Sequence, residues 1–153
     1  MKQERKLKRY DRIYKQLEAL LQPHDNPMAA IATNIAVLHH KFDYFFWTGF
    51  YLLQQGELIV GPYQGPVACI LLKKDQGVCW AGINGTEAIV VPDVHEFPGH
   101  IACDSRSKSE IVVPLFNARG DVTGVLDVDS KDLASFDEAD RAGLEKILTL
   151  VYK

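Results

Sequence analysis

The sequence predicts an α+β domain in which helices cover a mainly antiparallel sheet. Three observations lead there. Apolar residues recur at three- and four-residue spacing near both ends of the chain. Between those ends the period shortens to two, in short runs punctuated by Gly, Asn and Pro, as hairpins require. The 153 residues are 47% hydrophobic and 24% charged, which suits one domain with one substantial core.

Residues 3–21 read as an amphipathic helix, with Leu7, Tyr10, Ile13, Tyr14, Leu17, Leu20 and Leu21 inward and the Lys and Arg residues on a solvated face. Pro23 ends it. Asn26-Pro27 is an N-cap followed by proline at the first helical position, opening a second helix that runs to about His40. Ile31, Ile35 and Leu38 face inward there, and His39 and His40 suit the helix C-terminus. Tyr44–Leu53 and Glu57–Val60 form a hairpin about Gln54-Gln55-Gly56. On it Trp47 and Tyr51 share a face, either filling the core or walling a small apolar or cationic ligand group.

Gly61 to Gly65 reads as a turn and Val67 to Leu72 as a strand carrying Cys69. Gly77-Val78-Cys79 opens a short helix toward Gly82, and Asn84-Gly85 marks a turn before a strand over Glu87–Val91. Ile111–Phe116 and Val122–Val128 are strands joined by hairpin chemistry at Asn117-Ala118-Arg119-Gly120. Asp127 and Asp129 flank Val128 and so point to one face, where unpaired burial is costly; a ligand-facing pair is the preferred reading over edge decoration. Ser135 with Glu138 makes a capping box for the last helix, whose inward stripe is Leu144, Ile147, Leu148 and Val151. The N-terminal helices thus occupy residues 1–41, and the sheet, an irregular loop and the final helix occupy 42–153.

That loop, Val91 to Glu110, is where function is expected. Pro92, Pro98 and Gly99 break regular structure, while Val94, Phe97, Ile101 and Ala102 supply apolar anchors. It carries Cys103, with His95 and His100 before it and Asp104, Arg106 and Glu110 after it. A thiol among groups that hold or move charge is a candidate reactive centre.

The net charge of −3 gives no reason to expect nucleic acid, and no apolar run is long enough to span a membrane. The basic start lacks a following apolar region, and three cysteines cannot close a disulfide framework, so a reducing cytoplasm is expected. Cys69, Cys79 and Cys103 show no C-x-x-C pair, and with His95 and His100 they match no familiar zinc spacing; no metal is expected. Redox chemistry needs a thiolate that attacks, a second thiol that closes a disulfide, and an external reductant. Acyl transfer from Cys103 with His95 or His100 as base leaves the other cysteines and the aspartates unexplained.

GPYQGPVACI, GVC, VVPDVHEFPGHIACDSRSKSEIVVPL, GVLDVDS and SFDEAD together resemble the free methionine-(R)-sulfoxide reductases, which are GAF-domain proteins. The resemblance covers Phe46 to the C-terminus. It implies a GAF-like fold and an oxidoreductase acting on free L-methionine-(R)-sulfoxide. In it Cys103 attacks the sulfoxide sulfur, becomes a sulfenic acid and releases methionine. It further implies that Cys69 closes a disulfide with Cys103, reduced by thioredoxin or another dithiol without a bound cofactor, and that Cys79 is an alternative partner thiol. Glu110, Asp127 and Asp129 match positions lining the family's site, Trp47 and Tyr51 match its wall for the substrate methyl group, and a homodimer through the N-terminal helices is implied. One departure follows GVC, where bulky Trp80 stands in place of a small residue and is expected to alter the pocket cover. The competing reading is a non-catalytic GAF-type sensor of a small molecule or of redox state; a chain without an output domain, with three cysteines in the family's places, favours the enzyme.

Overall fold

A computed structural model describes residues 1–22, 25–100 and 103–152. The elements in chain order are α1 (Gln3–Leu20), α2 (Pro27–Leu38), β1 (Trp47–Gln54), β2 (Glu57–Gln64), β3 (Leu71–Leu72), α3 (Gly77–Gly85), β4 (Ile89–Val91), β5 (Ser109–Phe116), β6 (Val122–Ser130) and α4 (Glu138–Leu148). The six strands form one sheet in the order β3-β2-β1-β6-β5-β4, and every pairing is antiparallel.

Alternation along the central strands divides the core in two. Phe50, Ile111, Val113, Leu115, Leu126 and Val128 point to one face and pack with buried residues of α1, α2 and α4. Tyr51, Val112 and Val125 point to the other and pack with Val78, Trp80 and Ile83 of α3. Among the described residues the second face is covered by α3 and by Val94 of a single 3-10 turn, Val94–Glu96, which leaves room for a cavity.

Several elements depart from the sequence expectations, each for a physical reason. On α1, Leu7 and Leu20 are exposed whereas Lys6 is buried. Its Nζ lies 2.7 Å from the Asp140 carboxylate and donates to the carbonyl of Ser135 at 2.8 Å. Tyr10 and Tyr44 donate to the other oxygen of Asp140 at 2.8 and 2.6 Å. A buried charge survives when paired and bonded in this way, so one lysine of the expected solvated face joins α1 to the start of α4. The helices meet closely because position 143 is glycine; a Cβ there would overlap the Tyr10 ring.

The capping box of α4 is Asp137 with Asp140, not Ser135 with Glu138: Asp137 accepts from the amides of Ala139 and Asp140, and Asp140 accepts from the Asp137 amide. Ser135 instead bonds the hydroxyl of Ser130 at 2.7 Å. Asn26 caps α2 as expected, accepting from Ala29 N at 3.1 Å. His39 does not serve as a cation at the end of α2. It is half-buried and bonds Thr48 Oγ1 at 2.9 Å, and burial, helped by His40, lowers its pKa.

Gly61 to Gly65 is not a turn. β2 runs through to Gln64, and Gly61-Pro62 form a bulge opposite Phe50, where a proline needs no ladder bond. The strand expected over Val67 to Leu72 shrinks to Leu71–Leu72, so Cys69 sits on an irregular segment. The turn expected at Asn84-Gly85 is the last part of α3, and Thr86, with φ +50°, carries the chain out of the helix. Pro23, Ile101 and Ala102 lie outside the described residues.

Candidate active site

Strand register assembles the floor of the site. Glu110 on β5 pairs with Asp129 on β6, which pairs with Trp47 on β1. One row along, Val112 pairs with Asp127, which pairs with Gly49. Directly paired residues point the same way, so two strands bring three carboxyl groups to one patch beside an indole. Gly49 is what lets the Trp47 ring fold across β1: a Cβ there would meet both Trp47 and Tyr63. Trp47 stacks on Tyr63 at 5.2 Å and on Tyr51 at 5.8 Å between ring centroids.

Those aromatics also hold the chain that carries Cys69. Trp47 Nε1 donates to Pro66 O at 3.0 Å, and the Tyr51 hydroxyl donates to Cys69 O at 3.1 Å. Each ring is buried, and each also lines the cavity. Cys69 and Cys103 are joined by a disulfide, with Cα atoms 5.7 Å apart. Cys103 is exposed, on a loop that re-enters the sheet at Ser109. After it, Arg106 grips Asp104 through two bonds of 2.9 and 2.7 Å, which pull the Asp104 carboxyl down to about 2. The Arg106 guanidinium lies over the Phe46 ring at 5.0 Å.

Cys79 is the free thiol, buried on the first turn of α3. Its sulfur and one carboxylate oxygen each of Glu110 and Asp127 all lie within 4.8 Å of one another. Burial raises its pKa well above the usual thiol range, and Asp127, Glu110 and Asp129 raise it further. It therefore stays protonated and is a poor nucleophile. Burial likewise raises Glu110, helped by Asp127 and Asp129, and raises both aspartates. Burial and mutual repulsion thus favour the protonated forms, so the patch holds a proton more tightly than free carboxyls would. Asp127 Oδ1 is buried and has no hydrogen-bond partner among the described residues. A cationic group, metal or ammonium, is what such a donor set would hold.

One cavity is lined by seven of the eight site residues singled out from the sequence, Cys103 at its mouth, then Cys79, Trp47, Tyr51, Glu110, Asp127 and Asp129, and the eighth, Cys69, is bound to Cys103 beside it. Of the two candidate bases only His100 lies there, its Nε2 3.9 Å from Glu110 Oε1. Burial and His95 lower its pKa. His95 is exposed and paired with Asp93. Trp80 does not cover the pocket; it is buried, with Nε1 donating to Leu72 O. The sequence reading missed the start of α3, where Gln76, Gly77 and Val78 line the cavity and no side chain caps the helix. Gly77, with φ +83°, was the available signal, since a glycine before an apolar turn allows backbone to face a ligand.

Comparison with known proteins agrees with this architecture. The GAF domain family model matches residues 27–152. The chain is 47% identical over 147 residues to GAF domain-containing protein A of Dictyostelium discoideum, covering 95% of this chain and 92% of the relative. It is 35% identical over 144 residues to the free methionine-R-sulfoxide reductase of Escherichia coli, covering 94% and 87%. A crystal structure of the free methionine-R-sulfoxide reductase of Neisseria meningitidis in complex with its substrate superposes with a TM-score of 0.86 at 41% identity, covering 93% of this chain and 85% of that one. The fold and its cavity define a GAF domain. Within that class, the chain belongs to the free methionine-(R)-sulfoxide reductase family.

Proposed function

We propose that the chain reduces free L-methionine-(R)-sulfoxide to methionine with Cys103 as nucleophile. The observation that carries this reading is the Cys69–Cys103 pair at the mouth of a cavity with an acid floor and an aromatic wall. The Cys103 thiolate attacks the sulfoxide sulfur while a protonated member of the Glu110, Asp127 and Asp129 group gives its proton to the departing oxygen. The hydroxyl so formed passes from the substrate sulfur to Sγ of Cys103 as the new sulfur–sulfur bond breaks, its electron pair returning to the substrate sulfur. This leaves a sulfenic acid on Cys103 and releases methionine. The Cys69 thiol then attacks the sulfenic sulfur, expelling water and closing the disulfide. An external dithiol, thioredoxin in the expected case, returns both thiols.

The remaining groups match a zwitterion. Asp127, with its unpartnered buried oxygen, takes the ammonium, and the uncapped first turn of α3 takes the carboxylate. Trp47 and Tyr51 receive the methyl group. Cys79, kept neutral by burial and its acidic neighbours, is a wall of the pocket rather than the resolving thiol. The enzyme acts as a homodimer, with the exposed Leu7 and Leu20 of α1 in the contact.

The test is consumption of each methionine sulfoxide epimer with dithiothreitol. Free R epimer should be turned over, free S epimer should not, and sulfoxide within a peptide should be a poor substrate because its flanking groups have no room among the acids and the α3 turn. Binding of free sulfoxide without turnover would favour the sensor reading instead.

A further inference from the structure

The disulfide must be reduced by a sulfur that comes from outside, and the surface around it is unusual. Val67 and Ile70, 84% and 72% exposed, are the two most exposed large apolar side chains among the described residues, and they flank Cys69. Leu71 beside them is 52% exposed. Single exposed apolar residues are ordinary, but three within five positions around a half-cystine form a patch. Lys73 and Lys74 follow it, both exposed and neither in an ion pair among the described residues. The segment is irregular until β3, so it can present Cys69 without unpairing a strand.

We propose that Val67, Ile70 and Leu71, edged by Lys73 and Lys74, are the docking surface for a dithiol reductase with an apolar, acid-rimmed face, and that it directs the reductase's thiolate to Cys69. This rests on the reading of the Cys69–Cys103 bond as the product of turnover. In the docked complex the partner's thiolate attacks Sγ of Cys69 and the bond to Cys103 breaks, its electron pair leaving on Cys103. The partner's second thiol then attacks its own first sulfur and expels Cys69, so the partner is oxidised to a disulfide and the chain gains two thiols. Cys103 is freed first, at the mouth of the cavity where the next sulfoxide arrives. Apolar contact supplies the affinity and the lysines supply orientation and association rate.

The experiment uses the full oxidised chain and no sulfoxide, so the substrate reading is not at stake. The rate of disulfide loss is measured by thiol alkylation and mass, with reduced thioredoxin or with dithiothreitol. Ile70→Asp should slow reduction by thioredoxin about tenfold and leave reduction by dithiothreitol unchanged. Lys73→Glu with Lys74→Glu should slow it further at low salt, with the effect fading as salt is raised. A thioredoxin lacking its second thiol should be trapped on Cys69. Equal rates for wild type and Ile70→Asp, trapping on Cys103, or conversion of a dimer to a monomer by Ile70→Asp would overturn the proposal. Absence of sulfoxide turnover by the wild type in a separate assay, with reduction by thioredoxin intact here, would instead count against the proposed reaction alone.

Discussion

Glu110, Asp127 and Asp129 are held together against their own repulsion. Their raised pKa values mean that the folded state binds protons more tightly than the unfolded chain, whose carboxyls titrate at about 4. The stability this contributes is present below about pH 4 and is lost as the pH rises through the folded values. Glu110→Gln should therefore be more stable than wild type at pH 8, with the gap closing toward pH 4, while losing most activity. Thermal melts across that range check it, each kcal/mol appearing as about 2–4 °C for a chain of this size. A gap that is constant with pH would contradict the electrostatic origin. At this scale the sequence was partly legible. Period-two alternation alone put Asp127 and Asp129 on one face. The place of Glu110 beside Asp129 depends on pairing between β5 and β6, and the roles of the three cysteines came from family resemblance, since spacing cannot say which sulfurs meet.

Elements expose the limits of patterning more sharply. The last helix was expected to start from Ser135, because a serine three residues before a glutamate is the common capping signature; Asp137 and Asp140 are the same signature shifted by two, and they also serve Lys6. A lysine near the start of a basic helix reads as solvated, and only a partner 134 positions away makes it a core residue. Lys6→Ala leaves Asp140 buried with its cation gone, so a loss of about 3–5 kcal/mol is expected, measured by urea unfolding. Were the loss near zero, this pair would not tie α1 to α4. The short β3 was over-read because Val67 to Leu72 has β propensity, yet its anchoring comes from Trp47, Tyr51 and the disulfide instead of a ladder.

For the molecule as a whole, the sheet divides labour. One face packs under three helices and carries stability; the other, under the short α3 and the turn at Val94, keeps the cavity. The α+β class and the antiparallel sheet followed from periodicity, whereas the division of faces needed strand order. No helix among the described residues is long and apolar enough to cross a membrane. Leu7 and Leu20, left exposed on α1, are the contact of the proposed dimer: Leu7→Glu with Leu20→Glu should shift sedimentation from dimer to monomer, and a wild type that sediments as a monomer, or an unchanged profile, would contradict that contact. The most direct test of the whole account is a single turnover by reduced Cys69→Ser protein given free L-methionine-(R)-sulfoxide. One methionine should be released per chain and one added oxygen should appear in the peptide bearing Cys103; oxygen on Cys79, or methionine released with Cys103 untouched, would contradict it.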